Sequence, residues 1–197
     1  MMPTEQKPRI LFMGTPEFAV PSLELLVEKA WPVIGVVTQP DRPKGRGQRL
    51  VASPVKEAAE RLGIAVYQPE KVRAPEFLEI FRGLAPDMVV LVAFGQILPK
   101  DIIDGPPLVC INVHPSLLPM FPGLKTHARA LAEGVKIHGC TVHFVTADLD
   151  HGPIVIQAAV PVRADDTPDT LAARVLAQEH RIYPQAIRWF AEGRLIN

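Results

Sequence analysis

The chain has almost no cysteine: Cys110 and Cys140 are the only two in 197 residues, both lie in apolar strand-like stretches, and no C-x-x-C pair occurs. Neither a disulfide framework nor a zinc knuckle is suggested, and a reducing cytoplasm is the expected setting. Excess charge of one sign is also absent, with 21 Lys and Arg against 21 Asp and Glu. Contact with nucleic acid therefore has to be local rather than driven by a basic surface. Long apolar runs are missing. The polar residues 1–9 lead only into the short run 10–13, too short for a signal-peptide core or a membrane span. A cytoplasmic protein with no membrane partner is expected. Glycine motifs are missing as well: Gly14 stands alone after the first apolar run, so the three-glycine dinucleotide fingerprint is absent, and there is no P-loop. That disfavours a dehydrogenase and a P-loop ATPase. The six histidines form no H-E-x-x-H or comparable ligand set, so no metal is expected, and Ser116 lacks the G-x-S-x-G elbow of a hydrolase nucleophile.

What is present is enough apolar content, 48%, for a sizeable core in one domain. Short apolar runs at 10–13, 33–37, 88–92 and 108–113 read as buried strands. Helical spacing fills 17–29, and residues 54–62 and 75–83 read as crossover helices, each opening on a proline, which the first helical turn tolerates. Alternating strands and helices predict an α/β fold with a doubly wound, mostly parallel sheet. Residues 140–145 and 154–160 are separated by only a loop, which suits neighbouring strands and makes the sheet mixed. A closing helix is expected over 170–192, kinked or restarted at Pro184. No heptad repeat or large amphipathic surface helix signals an oligomer.

The stretch 38–49 carries Arg42, Lys44, Arg46 and Arg49 with Gly45 and Gly47 and almost nothing apolar. It is expected to be an exposed loop, either a solvated turn or a contact for phosphate groups. In Ile111-Asn112-Val113-His114, two polar side chains two residues apart share one face at the end of an apolar strand. There, at the carboxyl end where open α/β sheets bind ligands, an amide and an imidazole can stabilise an oxyanion and exchange a proton. A polar cap on the strand is the structural alternative. Asp148-Leu149-Asp150-His151-Gly152-Pro153 is a turn sequence whose carboxylates can also stabilise a charged imidazole. Spacing alone does not say which aspartate reaches His114.

These motifs, with Phe12-Met13-Gly14-Thr15-Pro16-Glu17-Phe18, Val36-Val37-Thr38-Gln39-Pro40-Asp41-Arg42-Pro43 and Val92-Ala93-Phe94-Gly95-Gln96-Ile97-Leu98-Pro99, resemble the folate-dependent formyltransferase family. Over 9–119 the chain is similar to the catalytic domain of the branch that formylates methionyl-tRNA. Over 120–195 it looks more like the branch that formylates glycinamide ribonucleotide in purine biosynthesis, through Phe121-Pro122-Gly123-Leu124-Lys125-Thr126-His127, Gly139-Cys140-Thr141-Val142-His143-Phe144-Val145 and Gln178-Glu179-His180. The chain thus has a hybrid appearance. The resemblance implies a single Rossmann-like catalytic domain over 1–197, without a carboxyl-terminal tRNA-binding domain.

By motif match, the resemblance places the catalytic roles on Asn112, His114 and Asp150. It places 10-formyltetrahydrofolate, the implied co-substrate, against Phe94, Gly95, Gln96, Ile97 and Leu98 and against Thr146, Ala147 and Asp148. Acceptor contacts fall on Glu179, Gly14, Thr15 and Arg42. Glycinamide ribonucleotide is the first expectation for the acceptor, on chain length and Glu179. Methionyl-tRNA, contacted through the 38–49 loop, is the alternative, followed by a sugar-nucleotide amine or an inactive folate-binding hybrid. Pro16 and Glu17 count against a phosphate loop after the first strand.

Overall fold

The computed structural model describes residues 7–44, 49–104 and 109–195. These fall into two compact units, one ending at Cys110 and one beginning at Ile111. In the first, β1 (Ile10–Gly14), β2 (Val33–Val37), β5 (Val66–Tyr67) and β6 (Met88–Val92) pair in parallel in the order β5-β2-β1-β6. Every residue of β1 and β6 is buried. Continuous apolar runs suit strands covered on both faces, which is why these strands carry no polar alternation.

Between the strands lie a 3-10 turn (Glu17–Ala19), α1 (Val20–Glu28), α2 (Pro54–Arg61), α3 (Pro75–Leu84) and the short α4 (Lys100–Ile103). The prolines at 54 and 75 do open helices, and Ser53 caps α2 by accepting the Lys56 amide at 3.0 Å. The basic stretch is more ordered than a loop: Arg42–Lys44 (β3) pairs antiparallel with Arg49–Val51 (β4). Residues 45–48, and so Arg46, lie outside the described residues. Strand order reverses at β1, which has β2 on one side and β6 on the other. Gly14 ends β1 and Thr15 follows it, and Ala93-Phe94-Gly95 follow β6, at the carboxyl ends where open α/β sheets form ligand crevices.

The second unit takes up β7 (Val109–His114) from Ile111 and adds α5 (Thr126–Ala132), β8 (Ile137–Phe144), β9 (Ile154–Pro161) and α6 (Pro168–Ala191). β8 runs antiparallel to both β7 and β9. The sheet class is therefore mixed and mostly parallel, as read from the sequence. Of the kink or restart expected at Pro184, the restart does not occur: α6 continues through the proline as one helix. Its buried face, Leu171 and Val175 before the proline and Ala186 and Ile187 after it, packs on β8 and β9. Burial on both sides outweighs the lost helical hydrogen bond and ring clash, about 3 kcal/mol for an interior proline. Both cysteines are free and buried, and burial pushes each thiol up to about 12.

Candidate active site

The alternation of β7 brings Asn112 and His114 to one face, and the antiparallel register sets Asn112 opposite His143 and His114 opposite Thr141. The turn after β8 then delivers Asp150, whose backbone is left-handed at φ 55. Its Oδ2 stands 3.5 Å from His114 Nδ1, and its Oδ1 stands 3.8 Å from His143 Nε2. Asp150 is thus the carboxylate that reaches the imidazole, while Asp148 is exposed. Gly152 permits this turn, because a Cβ there would overlap the carbonyl oxygen of Phe144.

Hydrogen-bond chemistry fixes the protons. His114 Nε2 lies 3.0 Å from the Phe121 carbonyl oxygen, which can only accept, so Nε2 carries a hydrogen and Nδ1 is the ring nitrogen beside Asp150. His143 Nδ1 likewise donates to the Phe144 carbonyl at 2.8 Å, so its Nε2 accepts from Asn112 Nδ2 at 3.2 Å. Burial holds the His143 pKa below the usual histidine range, which favours this neutral acceptor form. Asn112 is thereby oriented with one amide hydrogen on His143 and a second to spare.

Neighbouring polar groups brace the segment after β7. Ser116, fully buried, donates to the Met120 carbonyl at 2.6 Å. Thr141 Oγ1 donates to the Ser116 carbonyl at 2.7 Å and accepts from the Leu118 amide at 3.0 Å. Gln157 joins it at 2.9 Å from the Leu118 carbonyl. The Ser116 hydroxyl is therefore a structural donor. His143 and Thr141 stand in a resemblance motif of the sequence without a role assigned to them there. Their signal is the alternation of Thr141-Val142-His143, which acquires meaning only once the register against β7 is known.

The residues expected at the folate contribute differently. Phe94 and Leu98 are buried, whereas Ile97 is 80% exposed. The Phe94 carbonyl receives Thr15 Oγ1 at 2.9 Å and Gln39 Nε2 at 3.1 Å, which hold the bend where Ala93 and Gly95 take φ 46 and 89. The Gln96 side chain is engaged elsewhere: Oε1 accepts the Val72 amide at 2.9 Å and Nε2 donates to the Pro69 carbonyl at 3.3 Å. In the second unit, Thr146 Oγ1 donates to the Asp148 carbonyl at 3.2 Å, and Ala147 is exposed.

Of the expected acceptor residues, Gly14 is packed so closely by Phe12, Ala19 and the Val92 carbonyl that a Cβ would collide. Arg42 is exposed, with Nη2 3.7 Å from Glu70. Glu179 is 6% exposed on α6, and burial pushes its pKa up to about 7. Among the described residues, no group of three or more His, Cys, Asp or Glu could hold a metal ion, and no helix is long and apolar enough to cross a membrane.

The chain is similar to known proteins along most of its length. The family described as formyl transferase matches residues 8–187. The methionyl-tRNA formyltransferase of Syntrophus aciditrophicus is 52% identical over 157 residues, which is 80% of this chain and 50% of that protein. The methionyl-tRNA formyltransferase of Citrifermentans bemidjiense is 45% identical over 188 residues, 95% of this chain and 59% of that protein. The chain thus spans little more than half the length of these curated relatives. Among solved structures, glycinamide ribonucleotide transformylase 1 from Symbiobacterium toebii is similar with TM-score 0.82 and 36% identity, covering 97% of this chain and 91% of that one. A formyltetrahydrofolate deformylase from Pseudomonas syringae pv. tomato has TM-score 0.81 and 27% identity, covering 98% of this chain and 65% of that one. With the family pattern over nearly the whole chain and the Rossmann-like α/β fold in common, this chain belongs to the formyl transferase family.

Proposed function

We propose that the chain transfers the formyl group of 10-formyltetrahydrofolate to a primary amine, and that the amine is the one on methionyl-tRNA. The observation that carries the formyl-transfer reading is the presence of Asn112, His114 and Asp150 in one compact unit, with His114 Nδ1 3.5 Å from the Asp150 carboxylate. A neutral amine attacks the formyl carbon and a C–N bond forms as the carbonyl electron pair moves to oxygen. The spare amide hydrogen of Asn112 meets that oxyanion, a contribution of roughly 2.7–4 kcal/mol for a preorganised donor. His114 Nδ1 takes the proton from the attacking amine while Asp150 stabilises the imidazolium. The oxyanion then collapses, the bond from the formyl carbon to the folate nitrogen breaks, and His114 returns the proton to that leaving nitrogen.

A folate donor is supported by the solved relative whose name specifies formyltetrahydrofolate. Folate contacts are proposed for residues 94–98 through backbone groups and the exposed Ile97, and separately for Thr146, Ala147 and Asp148. Gln96 enters there as a brace of its own loop. The catalytic machinery is proposed to occupy a single domain.

For the acceptor, the relatives at 43–52% identity favour methionyl-tRNA over the first expectation, glycinamide ribonucleotide. The turn after β1 agrees, since Pro16 lacks an amide hydrogen and the exposed Glu17 occupies the first turn where a phosphate would need donors. Arg42, exposed on β3, is proposed to contact tRNA. Glycinamide ribonucleotide is the second reading, supported by solved transformylases that match this chain nearly end to end. Turnover of the two acceptors side by side, with the salt dependence of the tRNA reaction, decides. Faster turnover of glycinamide ribonucleotide overturns the tRNA reading, and folate binding without transfer to either amine, or to a sugar-nucleotide amine, points to an inactive hybrid. A tRNA reaction that weakens steeply with salt fits phosphate contacts.

A further inference from the structure

Residues 121–123 touch two members of the trio through backbone alone. The Phe121 carbonyl accepts from His114 Nε2 at 3.0 Å, and the Gly123 amide donates to Asp150 Oδ2 at 2.8 Å. This short turn therefore sets both the tautomer of the imidazole and the placement of the carboxylate facing it. Its backbone does not settle there unaided: Phe121 has φ 54 and Gly123 φ 78, and a bulky aromatic residue is disfavoured at positive φ. The segment that follows is exposed, with Leu124 87% accessible, so core packing does not trap it from that side.

One side chain grips the turn at two points. Arg129 Nη1 donates to the Pro122 carbonyl at 2.6 Å, and the guanidinium lies 5.5 Å from the centroid of the Phe121 ring. The same ring meets His138 in an edge-to-face contact at 5.9 Å, so it is held between a cation and a buried imidazole. Among the described residues no carboxylate lies within ion-pair distance of Arg129; the guanidinium is committed to the turn rather than to a surface salt bridge. A planar fork that donates along its edge and stacks on its face can do both at once, which an ammonium cannot.

We infer that Arg129 is a positioning residue for His114 and Asp150, acting through residues 121–123 and touching neither directly. The inference rests on the trio reading above. Without the guanidinium the turn can leave the positive-φ conformation at Phe121, taking the acceptor from His114 Nε2 and the donor from Asp150 together. Productive geometry is then lost while the surfaces that bind the substrates are kept.

The test compares the whole chain as wild type, Arg129→Met and Arg129→Lys, after thermal melting has shown which variants fold. In Arg129→Met, kcat with 10-formyltetrahydrofolate and the preferred amine is expected to fall about 10- to 100-fold with little change in KM, the pattern of misplaced catalytic groups. The ring-nitrogen NMR resonances of His114 are expected to move as the Nε2 hydrogen loses its carbonyl partner. Arg129→Lys keeps the charge without the fork and is expected to fall between the two in both readouts. Unchanged His114 resonances in Arg129→Met overturn the inference, with or without a fall in kcat. If Arg129→Met does not fold, Arg129→Lys decides by the same resonances. Because they are read without turnover, they test Arg129 even if His114→Asn retains activity and so overturns the trio reading.

Discussion

Oδ2 of Asp150 accepts the Gly123 amide at 2.8 Å while standing 3.5 Å from His114 Nδ1, so a single oxygen both anchors the turn and faces the imidazole. Asn is isosteric with Asp and tolerates the left-handed backbone that Asp150 adopts at φ 55. Asp150→Asn therefore removes the charge with little backbone cost. Its kcat, and that of His114→Asn, is expected to fall by roughly 100- to 10,000-fold, the range of a lost general base. Steady-state formyl transfer beside a melting curve is the measurement, and wild-type turnover in both folded variants excludes the trio.

Glu179 links the site's surroundings to stability. Its carboxyl, pushed by burial from 4.5 to about 7, stays protonated in the folded chain over a range in which the unfolded chain has released the proton. The unfolded state then binds fewer protons, so wild-type stability falls as pH rises from about 4.5 to about 7. Glu179→Gln removes that slope. Relative to wild type it is expected to gain about 3 kcal/mol between pH 4.5 and pH 7.5, read by urea unfolding at the two values. Equal stability differences at both pH values contradict a buried, neutral Glu179.

His138 has the opposite sign. Burial, with His127 as the next cause, lowers its pKa from 6.5 to about 4, and its Nε2 has no hydrogen-bond partner. The unfolded chain takes up the proton first on acidification, so wild-type stability is lost as pH falls from about 6.5 to about 4. His138→Gln is expected to flatten that loss by about 2–3 kcal/mol between pH 7.5 and pH 4.5. A variant whose acid unfolding tracks wild type excludes His138 as the group responsible.

The parts of this molecule legible in its sequence are those dictated by local period. Ile10–Gly14 and Met88–Val92 are continuous apolar runs, and both are buried parallel strands. Asn112 and His114 share a face because a strand alternates, whatever its partners. His143 was hidden because its meeting with Asn112 depends on the β7–β8 register, a long-range property. The absence of a restart at Pro184 has a related reason: local propensity allows a break, while packing on β8 and β9 carries the helix through. Gln96 lies in the stretch whose resemblance set it against folate, yet its side chain is occupied by residues 69–72, which only the fold brings near.

Gly152 supplies a prediction that joins packing to activity. A methyl group there would meet the Phe144 carbonyl oxygen, a backbone atom held by the strand, and Thr146 Cγ2 at 3.3 Å. Gly152→Ala is expected to cost about 1–3 kcal/mol, as overpacking does, and to lower kcat because the turn that must shift carries Asp150. Thermal melting and kinetics together decide: a destabilised variant with unaltered kcat separates the turn from the chemistry.

Tyr183 lies one residue before the helix proline, and its hydroxyl reaches across the core to the Ile111 carbonyl at 2.8 Å, directly ahead of Asn112. The last helix thus acts as a gauge for the depth of the strand that carries Asn112 and His114. Loosening it need not unfold anything to be felt, because a slip of Ile111 along the strand axis carries Asn112 and His114 with it. The position of the last helix is thereby tied, through one hydroxyl, to the strand that carries Asn112 and His114.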